Sequence, residues 1–298
     1  MQHDRESGVC IKVVGVGGAG CSAVDYMLRE GVQGVEFIAV DTDVQALSRC
    51  QAASKLTLNK PVAAADRELI VAQLSGADMV IVVVGMGGDS GVNAAPAVVE
   101  VARELDIFTV GVVSKPFSFE GRERMNNAEM DITAFVRYVD SLIVIPNDKL
   151  IEVKSEDASL INEYFKAADV AFRNAVSGIA EILTVPGLVS VDIEDVCLIM
   201  GESGYAMLGY AVASGADRAH VAAKQALSSP LLEAANLSEV KGLLVNITAA
   251  RRTLKMKEVR EVMTIVNEGA TEGTNIIFGA IYDENMGEQL RVTVIVAG

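Results

Sequence analysis

Twice within its first hundred residues the chain runs from a short apolar stretch straight into glycines and then into a helical pattern. The first passage is "IKVVGVGGAGCSAV" (Ile11–Val24) and the second is "VVVGMGGDSGVN" (Val82–Asn93). A strand that ends in glycines and opens a helix is a strong constraint on fold. Glycine permits the sharp turn and a close backbone approach, while the free amides and positive dipole end of the helix suit a phosphate. Gly15, Gly17 and Gly20 spell GxGxxG, which leaves three readings open. One is a Rossmann-type NAD site, with Asp41 at the end of the next strand placed for a ribose hydroxyl. Another is a different nucleotide site, and the third is a tight turn with no ligand. The second glycine turn favours two helix N-termini converging on one polyphosphate, an arrangement a dinucleotide fold does not ordinarily need. Asp89 stands in the middle of that second turn, a negative charge where an anion would rest.

The pattern around these turns predicts a doubly wound α/β domain over roughly residues 9–155. The runs "VCIKVVGV", "VEFIAVDTD", "ADMVIVVVG", "IFTVGVVS" and "SLIVIPND" are apolar throughout and alternate with helical segments. Such strands belong to a parallel sheet covered on both faces. A long helix follows, with Ile161, Phe165, Ala168, Phe172, Val176, Ile179 and Leu183 at three- and four-residue steps. That stripe predicts a core-facing helix about 37 Å long, closed by "TVPG" (Thr184–Gly187). Beyond it, helices "SVDIEDVCLIM" and "GADRAHVAAKQALSS" precede strands "VKGLLVNIT", "TNIIFGAIYD" and "QLRVTVIVAG", with a helix between the first two strands. The expected division is residues 1–157, a central helix over 158–184, and an α+β domain over 185–298.

Composition excludes several classes. With 298 residues, of which 51% are hydrophobic, the chain can bury one large core or two ordinary ones. Its net charge of −15 argues against nucleic acid as the main partner. Cys10, Cys21, Cys50 and Cys197 are scattered without metal-ligand spacing, so they read as small thiols in a reducing cytosol, with no metal site. No apolar run reaches the length of a membrane span, and "MQHDRESG" lacks a signal-peptide layout, so a cytoplasmic protein without direct membrane insertion is expected.

The second junction resembles the GGGTGTG signature of the FtsZ family, the bacterial homologues of tubulin. The resemblance covers nearly the whole chain, through "GVGGAGCSAVDYM", "TVGVVSKPFSFEGRERM", "VDSLIVIPNDKL", "GYAMLGYAVASGADRA", "ALSSPLLE" and "RVTVIVAG". It implies a tubulin/FtsZ-like fold, GTP or GDP as ligand with Mg²⁺ as companion ion, and head-to-tail assembly of identical chains. A typical FtsZ is the other implied partner. Acidic residues of one subunit complete the nucleotide site of the next in this family.

Carried over by motif, the first phosphate loop is Gly17, Gly18, Ala19, Gly20, Cys21 and Ser22, where the family usually has glycine at 19 and 21 and asparagine at 22. The second runs from Gly87 to Asn93 and includes Gly88, Asp89, Ser90 and Gly91. Glu120 and Arg124 match ribose and phosphate contacts, and Asn147 a contact near the sugar. Phe165 matches an aromatic that stacks on guanine, and Asp169 an acid that reads its N1–H and amino group, two donors that adenine lacks. A shifted alignment puts Tyr164 and Ala168 there instead. The catalytic loop, asparagine–x–aspartate–x–x–aspartate in the family, reads Ser190, Asp192 and Asp195 here. Its carboxylates would position the water that attacks the neighbour's terminal phosphate. Asp192 and Asp195 equally suit a helix N-terminus.

Departures cluster on the phosphate side. Asp89, Val92 and Asn93 alter the signature, Ser190 replaces asparagine, and "KLTLNKPVAAADREL" runs almost directly from strand to helix where the family has a long glycine-rich loop. A carboxylate about 4 Å from a phosphate charge costs about 4 kcal/mol at an effective dielectric of about 20. The resemblance therefore implies a guanine-nucleotide-binding filament protein of the cell-division type with impaired hydrolysis. A nucleotide-independent structural paralogue is the alternative, and an NAD-dependent enzyme the remote one.

Overall fold

The computed structural model describes residues 8–153, 161–185, 187–201, 204–232, 240–271 and 273–298; the side chains of 89–92, 151–153 and 161–162 lie outside that description. The first half alternates strand and helix: β1 (Ile11–Val16), α1 (Gly17–Arg29), β2 (Val35–Asp41), α2 (Val44–Arg49), β3 (Ser54–Thr57), α3 (Ala64–Leu74), β4 (Met79–Gly85), α4 (Asp89–Glu104), β5 (Phe108–Lys115), α5 (Arg122–Phe135), β6 (Ser141–Pro146) and α6 (Asn147–Val153). The six strands lie in the order β3-β2-β1-β4-β5-β6, all parallel. Apart from Lys12, β1 and β4 are apolar on both faces because helices cover both, and almost every residue in them is buried.

The central helix α7 (Ile161–Thr184) follows, then β7 (Gly187–Val189), α8 (Ile193–Gly201), β8 (Tyr205–Ser214), α9 (Arg218–Leu227), β9 (Gly242–Ala249), α10 (Met256–Gly269), β10 (Asn275–Tyr282) and β11 (Gln289–Ala297). Their strands continue the same sheet as β8-β11-β9-β10-β7. The join is a short parallel pairing of Leu142 with Tyr205 and Ile143 with Ala206. The expected boundary between residues 157 and 158 lies outside the described residues.

At 24 residues α7 spans about 36 Å. Phe172, Ala175, Val176, Ile179 and Ala180 share one core with Val13 and Met27 on one side and Leu208, Leu244 and Ile295 on the other. The helix therefore belongs to both halves. Arg291 of β11 reaches back to pair with Glu181 on it and also donates to Thr248. One member of the expected apolar stripe departs from it: Phe165 is 46% exposed, because α7 there runs past the core and borders a cleft.

Sequence patterning misses several elements. β3, β7, α2 and α6 are too short to show a period. β8 is longer, yet its "YAMLGYAVAS" has glycine or alanine at four of ten positions and one β-branched residue, so it lacks the usual signature of a strand. Its small residues have a packing reason: a Cβ on Gly209 would lie 2.1 Å from the Ala226 carbonyl of α9.

Candidate nucleotide cleft

The C-terminal ends of β1, β4, β5 and β6 open on one side of the sheet, the place where parallel α/β sheets hold ligands. A cleft there, of about 110 Å³, is bounded by Ala19 and Ser22 of α1, Gly85 at the end of β4 and Met86 after it, Ser114 near the end of β5 and Pro116 after it, Glu120, Arg124, Asn147, and Phe165, Ala168, Asp169 and Phe172 of α7. A second cavity of about 460 Å³ adjoins it at Phe165 and Asp169, walled also by Tyr26, Arg29, Glu30 and Lys166.

The glycines of the first junction divide by role. A Cβ on Gly15 would lie 2.4 Å from the Gly20 carbonyl, and one on Gly20 would lie 2.3 Å from the Val83 carbonyl, so these two let α1 sit directly on β1 and β4. Gly17 is left-handed at φ +70°. Gly18 has nothing within 4 Å of such an atom, so its backbone borders open space. The two junctions abut, since a Cβ on Gly85 would meet that of Ala19 at 2.7 Å. The second turn is shorter than its sequence suggests: Gly88 is the N-cap and Asp89 already begins α4. The side chains of Asp89, Ser90 and Val92 lie outside the described residues, and with them the surroundings of Gly91.

Cys21 turns inward. Its thiol is buried, lies 3.9 Å from the Gly15 carbonyl, and is pushed up to about 12 chiefly by burial. Its side chain does not line the cleft. Ser22 faces the cleft and donates to Asp169 at 3.0 Å. The Asp169 carboxyl is pushed up to about 6, first by burial, against the pull of the Ser22 hydrogen bond and of Arg29. Glu120 accepts from the Phe117 amide at 2.8 Å and pairs with Arg124 at 3.0 Å, leaving Arg124 about half exposed at the rim. Asn147, at the start of α6, is 6% exposed, and its Oδ1 has no hydrogen-bond partner among the described residues. A buried amide oxygen left unpaired costs about 1–3 kcal/mol unless something donates to it. A bound molecule in the cleft would meet that need.

Phe165 stands edge-on to the fully buried Phe117, centroids 5.6 Å apart, with its remaining surface on both cavities. Tyr164 packs against Phe117 from farther off, at 6.3 Å, and Ala168 is buried. The cleft thus gathers Ala19, Ser22, Glu120, Arg124, Asn147, Phe165 and Asp169 around one space, while Gly18 and Gly88 belong to the two junctions without lining it. Ser114, Pro116 and Tyr26, which lie within the resembling segments but are not among the expected site residues, and Arg29, which lies outside them, join the cleft and its adjoining cavity. The signal for Ser114 and Pro116 is their place at the C-terminal end of a parallel strand.

Asp192 and Asp195 are not among them. Both are exposed on the far side of α7, at the start of α8, where the Asp192 carbonyl accepts from the Val196 amide. From Asp169 to the end of α7 is about 22 Å of helix, so the two acids cannot reach their own chain's cleft.

A parallel nucleotide-type sheet with two abutting glycine junctions, a long helix carrying an aromatic and an acid into the cleft, and a second strand group on that helix define the tubulin type of fold. Comparison agrees. Residues 10–155 match the model of the Tubulin/FtsZ family GTPase domain, and residues 204–298 that of the FtsZ family C-terminal domain. The chain is 44% identical to the cell division protein FtsZ of Buchnera aphidicola subsp. Acyrthosiphon pisum (strain APS), over 97% of its own length and 79% of the relative's. It is 45% identical to that of Coxiella burnetii (strain RSA 493 / Nine Mile phase I), with 97% and 78% covered. The solved FtsZ dimer of M. jannaschii superposes with a TM-score of 0.90 at 33% identity, covering 99% of this chain and 89% of that one. The chain belongs to the FtsZ family. No helix among the described residues is long and apolar enough to cross a membrane.

Proposed function

We propose that this chain is an FtsZ-type cell-division filament protein that binds GTP or GDP in the cleft, assembles head to tail in the cytoplasm, and hydrolyses its nucleotide slowly. The observation that carries the reading is the pairing on one wall of a half-exposed ring, Phe165, with a desolvated carboxylate, Asp169. The ring offers a stacking face. The carboxylate offers two acceptors to a base edge with two donors, and guanine has that edge. Asn147 would donate or accept at the sugar, and Arg124 would neutralise phosphate charge at the rim. The amides around Gly18 and Gly88 would take phosphate oxygens, with Mg²⁺ sharing the charge.

In the proposed division of labour, residues 1–157 hold nucleotide, 158–184 form the connecting helix, and 185–298 present Asp192 and Asp195 to the next subunit. Because these acids lie at the opposite end of α7 from the cleft, a head-to-tail contact is what would bring them to a terminal phosphate, to orient the attacking water. Slow turnover is inferred from Ser190 in place of the family's asparagine and from Asp89, Val92 and Asn93 in the second loop. The partner is another copy of this chain, or a typical FtsZ in a mixed filament.

The test is calorimetric titration of the purified chain with GTP and GDP in Mg²⁺, with sedimentation and phosphate release on the same sample. Micromolar binding, nucleotide-dependent pelleting and turnover well below that of a typical FtsZ are expected. Pelleting with no binding at millimolar GTP would replace this reading with a nucleotide-independent filament.

A further inference from the structure

Helix α5 is the bed on which the second glycine junction rests. Gly87 has φ +81°, and a Cβ there would lie 2.5 Å from the Arg124 carbonyl and 3.2 Å from the Ala128 Cβ. Further along the same helix, Asp131 directs Oδ2 at the Gly87 amide, which donates to it at 3.0 Å. Arg124, Ala128 and Asp131 are spaced four and three residues apart, which is one face of a helix. The carboxylate is half-buried, and burial raises its pKa against the opposing pull of the Gly87 hydrogen bond. Gly88, the next residue, borders open space and caps α4.

A carboxylate in that position does two separable things. It occupies one amide of the loop, which fixes the Gly87 peptide and hence the direction of the backbone that follows. It also lays a negative charge behind the loop, and that charge acts more strongly on a ligand that carries more negative charge.

We propose that Asp131 is a positioning residue for the second glycine loop, and that its charge biases the loop toward the diphosphate over the triphosphate. The proposal deepens the nucleotide reading and rests on it. Asp131→Asn keeps an oxygen for the Gly87 amide and removes the charge, whereas Asp131→Ala removes both.

The experiment is calorimetry of the full chain and both variants with GDP and with GTP in Mg²⁺, together with hydrogen exchange of the peptide covering residues 85–88. In Asp131→Asn, GTP affinity is expected to gain about three- to tenfold relative to GDP, the size of a partly screened charge several ångströms away, with exchange as in the parent. In Asp131→Ala, exchange at 85–88 is expected to quicken and both nucleotides to bind more weakly. A GTP-to-GDP ratio unmoved in Asp131→Asn overturns the charge role. Unchanged exchange in Asp131→Ala overturns the positioning role. If the parent binds neither nucleotide, the nucleotide reading and the charge role fall together. Exchange alone then decides positioning, with recovery in Asp131→Asn supporting it and equal loss in both variants overturning it.

Discussion

The Ser22 hydroxyl donates to the Asp169 carboxylate at 3.0 Å and so joins the first turns of α1 to the central helix across 147 positions of sequence. The bond closes one wall of the cleft between the two glycine junctions and the exposed ring of Phe165. It favours the ionised acid, yet burial outweighs it and holds the carboxyl at about 6.

On the proposed function, that balance is expected to make nucleotide affinity depend on pH. Only the ionised carboxylate accepts from two donors, so GDP affinity is expected to fall below about pH 6, by up to about tenfold per pH unit. The free protein should respond in the opposite sense. A folded pKa raised above the unfolded value of 3.8 gives a contribution to stability that is complete below that value and lost as pH rises through about 6. Titrations from pH 5 to 7.5, paired with nucleotide-free thermal melts, check both signs.

Asp169→Asn changes the pattern that the wall presents, from two acceptors to one acceptor and one donor. Xanthine matches the new pattern, since it carries a carbonyl where guanine has its amino group. GTP binding is expected to weaken about ten- to a hundredfold for the lost charge-assisted hydrogen bond, while XTP gains on it. Competition between the two nucleotides measures the exchange of preference, and an unmoved ratio would remove Asp169 from the base site.

Two neighbouring glycines should answer alanine differently. Gly20→Ala drives a methyl to 2.3 Å from the Val83 carbonyl, a backbone atom that cannot step aside. A loss of about 1–3 kcal/mol is expected for such overpacking. Gly18→Ala meets nothing within 4 Å and replaces a poor helix former inside α1, so stability should hold or rise. Denaturant melts of the pair separate packing from propensity.

Asp195→Ala should leave folding and nucleotide affinity unchanged, since the side chain is exposed and lies at the far end of α7 from the cleft. Turnover in filaments is expected to drop about a hundredfold, the usual weight of a positioned acid or base. Mixing Asp195→Ala with Asp169→Ala should restore part of the activity, because some contacts then pair an intact acid loop with an intact cleft. No recovery would argue against a site shared between subunits.

A buried pair tests the strand group beyond α7. Arg218 and Glu258 are 5% and 7% exposed and bond at 2.8 Å, and the guanidinium also donates to the carbonyls of Thr253 and Glu288. Glu258→Leu strands a buried cation and is expected to cost about 3–5 kcal/mol. The double variant Arg218→Met/Glu258→Leu should lose less than the sum of the single changes, read from a double-mutant cycle in urea.

The alternation of apolar runs with helices, and the glycines that join them, determined the parallel sheet, the order of its helices and the end of the sheet at which a ligand would sit. Those features follow from local periodicity and from backbone freedom, both written residue by residue. Phe165 shows the limit of that kind of reading. Its spacing on α7 is that of a core residue, and only the packing of α7 past β6 leaves the ring half exposed on the cleft. The same holds for the continuity of the sheet, which hangs on two residue pairs between β6 and β8, and for β8 itself, whose small residues answer to α9 rather than to strand propensity. Asp131 carries no motif, and only the fold brings it beneath Gly87, 44 positions away. Tertiary structure decided these because each depends on which distant surface a residue meets, and no local pattern contains that surface.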